Sequence, residues 1–202
     1  YAKMYGPGYY HRAKGFPAVY AFASQGGDDR ARLFSSPLYT EQFIGTPDQS
    51  RLYRTGAGAN YDLTVRSFDA VLARSSRGED DLALFFDDPG TTNGQVFRGL
   101  EGKGELFGKT AGGSDFQVTA RNFAAVTATE TRGTGHVARL VDTAGDDHLV
   151  IDGALASMYR YIDPPKGSGK GERGLELLYQ VIASDQIEVF RRDHLLLNQG
   201  RT

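Results

Sequence analysis

Residues Phe68–Phe86, FDAVLARSSRGEDDLALFF, decide the fold, because versions of this string stand at three other places in the chain. The stretch reads as an apolar run, a Gly/Asp turn and a second run with alternating apolar positions. Aligned on its aromatic anchor, the copies begin at Phe16, Phe68, Phe123 and Leu175, at spacings of 52, 55 and 52 residues. A basic residue precedes each anchor by two positions: Lys14, Arg66, Arg121 and Arg173. Ala18-Val19, Ala70-Val71, Ala125-Val126 and Leu177-Leu178 follow it. Further on, Asp29–Phe34 matches Asp81–Phe86 and His136–Val141, and a three-residue deletion brings Asp185–Phe190 into the same column. Self-similarity at a fixed period of this length marks a repeat architecture.

Working outward, residues 1–37 read as the back of a partial unit, and 38–89 and 90–144 as whole units. Residues 145–202 form a further unit that stops in mid-repeat at Leu195–Leu197. The chain starts at Tyr1 with no signal peptide, which suggests a mature or excised piece of something longer. Composition agrees with short strands and frequent turns, with 26 glycines against 2 methionines and no helix-length amphipathic stretch. Leu63, Val65 and Ala83, Phe85 alternate with residues of the opposite face, the period of a strand. About five strands per unit are expected, and one unit has too little apolar surface to fold alone, so neighbours must stack.

The expected fold is therefore all-β, a repetitive β-solenoid of ~53-residue units resembling a parallel β-helix. Antiparallel blades or beads are the alternative, because a Gly-x-Asp-Asp turn also suits a hairpin. Phe16, Phe68, Phe123 and Leu175 would form one interior ladder. Gly15, Ser67, Asn122 and Gly174 just before them would turn the corners.

Leu33–Ser36, Leu140-Val-Asp-Thr-Ala-Gly-Asp-Asp-His-Leu-Val150 and the weaker Phe86–Gly90 carry a resemblance. The chain resembles the LYDSxGxDxF-like repeats of long surface or extracellular proteins of planctomycete-type bacteria. The resemblance implies a secreted or cell-surface fibrous or adhesive protein, and brings no chemistry with it.

Among candidate sites, the acidic turns at Asp29, Asp81, Asp146 and Asp147 could hold Ca2+ at stacked corners. Plain turn chemistry explains them as well, since Asp favours such backbones. His11, His136, His148 and His194 have no metal-ligand spacing. Ser75 and Ser76 have no base at a recognisable spacing, and Gly167–Gly171 lacks the phosphate-loop pattern. The basic column could form a positive stripe for acidic polysaccharide, or a solvated face paired with Asp62, Asp69 and Asp115. A net charge of −2 gives no bulk attraction to nucleic acid, no segment is apolar enough to span a membrane, and the absence of cysteine excludes disulfides and thiol catalysis.

The expected role is a structural or adhesive repeat segment, not an enzyme, located outside the cell. Its partners would be neighbouring repeats, like chains or extracellular polysaccharide. A polysaccharide-acting β-helix enzyme or a carbohydrate-binding module is the alternative.

Overall fold

The computed structural model describes residues 2–23, 26–56, 61–76, 80–88, 94–130, 135–162, 174–182, 186–190 and 196–199. Within them the chain is all-β. A hairpin of β1 (Ala2–Gly6) and β2 (Tyr9–Ala13) precedes β3 (Ala18–Phe22) and β4 (Arg30–Phe34). Three groups of five strands follow. The first is β5 (Glu41–Gly45), β6 (Gln49–Arg54), β7 (Asp62–Arg66), β8 (Ala70–Arg74) and β9 (Leu82–Phe86). The second is β10 (Val96–Leu100), β11 (Lys103–Lys109), β12 (Asp115–Arg121), β13 (Ala125–Thr129) and β14 (Val137–Val141). The third is β15 (Asp147–Asp152), β16 (Leu155–Ile162), β17 (Gly174–Ile182), β18 (Gln186–Phe190) and β19 (Leu196–Gln199).

Alternation makes these segments strands. In β4, Ala31 and Leu33 are buried while Arg30, Arg32 and Phe34 face solvent, and in β9 Ala83 and Phe85 are fully buried. The inward sets of two sheets meet in one core. The ten-stranded sheet has the order β19-β15-β16-β17-β13-β9-β5-β6-β7-β3, and the seven-stranded one β18-β14-β10-β11-β12-β8-β4. Both are mixed, because β6, β11 and β16 run antiparallel to both their neighbours.

Each group opens with a three-strand antiparallel meander, then sends one strand to the other sheet and one back. The meander lies in the ten-stranded sheet for β5–β7, in the seven-stranded sheet for β10–β12, and in the ten-stranded sheet again for β15–β17. Three parallel pairings recur. The first strand of a group pairs with its fifth (β5 with β9, β10 with β14, β15 with β19). The third strand pairs with the fourth-position strand of the previous group (β7 with β3, β12 with β8, β17 with β13). That fourth-position strand also meets the fifth-position strand before it (β8 with β4, β13 with β9, β18 with β14). Equivalent backbone bonds close the last pairing each time, Ser35 N–H to Arg74 O at 3.0 Å, Asp87 N–H to Thr129 O at 3.4 Å and Asp142 N–H to Phe190 O at 3.2 Å.

The corner from third to fourth strand carries the aromatic anchor. Only three residues link β7 to β8 and β12 to β13, too few to lead the chain back along a strand and across to the other sheet. β7 and β8 therefore run in opposite directions, and so do β12 and β13. The corner needs a left-handed residue, and Gly15 (φ 80°), Ser67 (φ 59°) and Asn122 (φ 59°) supply it, as the sequence suggested for those three. An L-side chain with a Cβ is strained there, so Ser67→Gly is expected to raise stability by up to about 1 kcal/mol, read as a higher urea midpoint.

The fourth copy sits in a different register from the sequence alignment. Leu175 and Leu177-Leu178 lie in β17, the counterpart of β12, and residues 186–190 form β18, the counterpart of β8 and β13 rather than of β9 and β14. The third meander is longer, with 8 and 9 residues in β16 and β17 against 6 and 5 in β6 and β7, and it carries a bulge at Met158/Tyr159. Its apolar residues slide into the columns where an anchor was sought. Gly174 accordingly begins a strand instead of a corner.

Nor do the anchors form a single ladder. The corner leads from the ten-stranded to the seven-stranded sheet at Phe68 and in the reverse sense at Phe123. The interior is tied across groups by aromatic contacts, Phe123 to Phe43 and Phe43 to Phe85 at 6.0 Å each, and Phe85 to Phe97 at 5.6 Å. Close approach is made possible by Gly45, where a Cβ would come within 2.8 Å of Val118 Cγ1.

Candidate functional site

Polar side chains collect where strands leave the core, and the turn chemistry explains why. After the fifth-position strand the chain must double back into the next meander, leaving backbone N–H groups near the interior that need acceptors. The residue entering each meander supplies one. Ser36 N–H donates to Glu41 Oε1 at 3.0 Å, Asp88 N–H to Gln95 Oε1 at 3.1 Å, and Thr143 N–H to Asp147 Oδ2. Glu41, Gln95 and Asp147 are all buried. The residue just before the fifth-position strand caps the meander from the other side. Asp81 Oδ1 accepts Glu41 N–H at 2.7 Å, and His136 Nδ1 accepts Gln95 N–H at 3.4 Å. Ser75 Oγ adds a bond to Asp81 Oδ2 at 2.8 Å, and Ser76 N–H one to Ser35 Oγ at 2.7 Å.

Two clusters of one plan result, with different chemistry. Ser35, Glu41, Ser75 and Asp81 occupy the places that Asp87, Gln95, Glu130 and His136 occupy one group later. In the second cluster the ligand atoms of Asp87, Glu130 and His136 lie within 4.8 Å of one another, and His136 Nε2 is 3.8 Å from Asp87 Oδ2. They line a cavity of about 30 Å3 together with Phe85, Phe97 and Leu106, the room of a single water or ion. Two carboxylates and an imidazole are a donor set for a divalent cation. The tautomer opposes one. A backbone N–H can only donate, so Gln95 fixes Nδ1 as acceptor and leaves the neutral ring's proton on Nε2, facing the carboxylates. A cation bound at Nε2 would cost the ring either that proton or its bond to the Gln95 N–H.

Of the four aspartates considered for Ca2+, Asp81 caps Glu41, Asp147 holds Thr143 through its N–H and Oγ1, Asp146 lies exposed in the turn, and Asp29 donates its backbone N–H to Asp69 Oδ2 at 2.7 Å. Among the described residues, the group of three or more potential ligands is Asp87, Glu130 and His136. Sequence reasoning set His136 aside for want of ligand spacing, and passed over Asp87 and Glu130. The available signal was the column shared by Asp81 and His136, with Glu130 six residues before His136 as Ser75 is before Asp81.

No family model, no curated protein and no solved structure matches this chain.

The electrostatics differ between sites. Burial pushes the Glu41 carboxyl up to about 7; the Ser36 N–H and Arg54 oppose the rise and the nearby Asp81 adds to it. Its second oxygen, Oε2, is buried without a hydrogen-bond partner. Burial, reinforced by the Glu41 charge, also pushes Tyr61 up to about 12. Glu105 goes the other way. Burial would raise it, but hydrogen bonds from Lys103 and Arg98 prevail and hold it below the ordinary carboxylate range.

The basic column forms no single stripe. Arg66 ends β7 in the ten-stranded sheet and Arg121 ends β12 in the seven-stranded one. Arg66 pairs with Asp48 at 3.2 Å, while Asp62 pairs with Arg51 and Asp115 with Lys109. Arg173, His194 and residues 163–173, including the Gly167–Gly171 loop, lie outside the described residues.

Proposed function

We propose that this chain is a structural and adhesive repeat segment of an extracellular or cell-surface protein, whose stacked units continue as a solenoid-like fibre. The observation that carries this reading is the recurrence of three parallel pairings in each successive group. A plan that adds the same contacts with each unit generates length without limit. The polar clusters support the same reading, because Glu41, Gln95, Asp147, Asp81 and His136 direct their acceptors to backbone N–H groups that close turns. The LYDSxGxDxF resemblance is the second support, and it is where the extracellular location comes from.

The test is immunolabelling of intact cells that make the protein, using antibodies raised against this segment. Labelling without permeabilisation is the expected result. Labelling seen only after permeabilisation overturns the location, and with it the adhesive role.

A further inference from the structure

The two sheets turn chemically different faces outward. Ala31, Leu33, Val71, Ala73, Val118 and Ala120 enter the core, so the intervening residues of β4, β8 and β12 face away from it. By the same alternation the seven-stranded sheet carries eight basic and three acidic residues at outward strand positions, although the whole chain has a net charge of −2. The outward positions described in the ten-stranded sheet balance, with Arg51 and Arg66 against Asp62 and Asp152.

Arginines face each other at two places on the seven-stranded sheet. Arg98 stands directly opposite Arg139 across β10 and β14, and Arg121 opposite Arg74 across β12 and β8. Like charges so placed repel. The fold itself neutralises the first pair, because Arg98 Nε donates to Glu105 Oε2 at 2.9 Å and Arg139 Nε to Glu188 Oε2 at 2.8 Å. It does not neutralise the second. Arg74 and Arg121 are exposed, and neither forms an ion pair among the described residues. Arg32 lies diagonal to Arg74, since its own neighbour across β4 and β8 is Leu72, and it too is exposed without an ion pair among those residues. Lys103 stands opposite Arg121 on the other side, with its charge taken by Glu105. Asp28, Asp69 and Asp115 are at the far end of β4, β8 and β12, away from Arg74 and Arg121.

We propose that Arg32, Arg74 and Arg121 bind an acidic polysaccharide that lies across β4, β8 and β12, along the direction in which the strands stack. A guanidinium fork takes a carboxylate or a sulfate through two parallel N–H bonds. Neighbouring strands are about 4.8 Å apart, so successive arginines meet successive anionic groups of an extended sugar chain. Phe34, 53% exposed and directly opposite Arg74, gives the C–H face of a sugar ring an apolar surface to lie on. The bound anions supply for Arg74 and Arg121 what Glu105 and Glu188 supply for Arg98 and Arg139.

The choice of a polysaccharide among polyanions rests on the extracellular reading proposed above. The net charge of −2 argues the same way, since the chain as a whole exerts no pull on the dense charge of nucleic acid.

Calorimetric titration at low salt with polygalacturonate, dextran sulfate and uncharged dextran is the test. Binding of at least one charged polymer and none of dextran is expected, and the two charged polymers separate carboxylate from sulfate recognition. The double variant Arg74→Gln/Arg121→Gln, checked for a retained β circular-dichroism spectrum, is expected to bind at least roughly tenfold more weakly, with a shallower salt dependence. Without polymer it should unfold at a higher urea midpoint than wild type, because the repulsion is gone. Arg51→Gln/Arg66→Gln, on the other sheet, should bind like wild type. Failure of both charged polymers to bind overturns the proposal, as does an Arg74→Gln/Arg121→Gln variant that binds like wild type. A single-stranded oligodeoxynucleotide bound more tightly than either polysaccharide, and lost in the same variant, would reassign the face and overturn it as well. Labelling confined to permeabilised cells would remove the extracellular role and leave measured polysaccharide binding standing; surface labelling with no binding would do the reverse.

Discussion

Phe43→Ala is expected to lower unfolding free energy by about 3–5 kcal/mol, the cost of truncating a fully buried aromatic whose site cannot collapse. Phe43 is completely buried, and its ring meets Phe85 of its own group and Phe123 of the next. The strands around it belong to two sheets and two groups, so relaxation into the void would break parallel pairings instead of shifting one side chain. Phe16→Ala, at an exposed position, is the control and should change the isolated chain by no more than about 0.5 kcal/mol. Urea denaturation of both variants at low concentration is the measurement. Equal effects would mean that the aromatic contacts between groups do not hold the core together.

Glu41→Gln should remove a pH dependence that wild type shows near neutrality. The folded carboxyl titrates at about 7 against an ordinary 4.5, so between those values the native state holds a proton that the unfolded chain has released. Stability falls wherever the native state binds more protons as pH rises. Wild type is therefore expected to lose about 2–4 kcal/mol through this group between pH 4.5 and pH 8. Gln95 occupies the equivalent position, accepting from Asp88 N–H and donating Nε2–H to the Lys109 carbonyl at 3.2 Å, so the amide is already used in this fold. The variant should match wild type near pH 4.5 and exceed it at pH 8. A variant whose stability declines with pH as wild type does would place the titration elsewhere. Glu105 has the opposite sign, contributing stability above the ordinary carboxyl pKa that is lost as pH falls through its depressed value, so acid unfolding is a separate event.

Much of the fold could be read from the alignment of Phe68–Phe86 with its copies. Alternation at Ala83 and Phe85 marks a strand, and Gly15, Ser67 and Asn122 mark corners, because those properties are local to a few residues. The alternation between sheets was not legible, since it depends on how short a corner is in three dimensions and leaves the column pattern unchanged. The column of Glu41, Gln95 and Asp147 was hidden for another reason. These residues stand seven, nine and six positions beyond the last residue of β4, β9 and β14. Side chains of different length then bring their acceptors to the same N–H, a geometric equivalence that a fixed period does not show. The Asp87, Glu130 and His136 cluster was missed likewise, because its members come from two separate links, β9–β10 and β13–β14, and meet only when β9 pairs with β13 and β10 with β14.

Because the meander changes sheets from one group to the next, the same placement returns only at every second group. Two groups make one structural period, and in the ten-stranded sheet that period is the five strand-to-strand steps from β5 to β15. At about 4.8 Å per strand it spans roughly 24 Å. Anything that grips one outer face would find equivalent positions renewed at that interval, with the corresponding positions presented to the opposite side half a period along. A longer array of these units would thus be two-sided, able to hold separate neighbours back to back through equivalent positions.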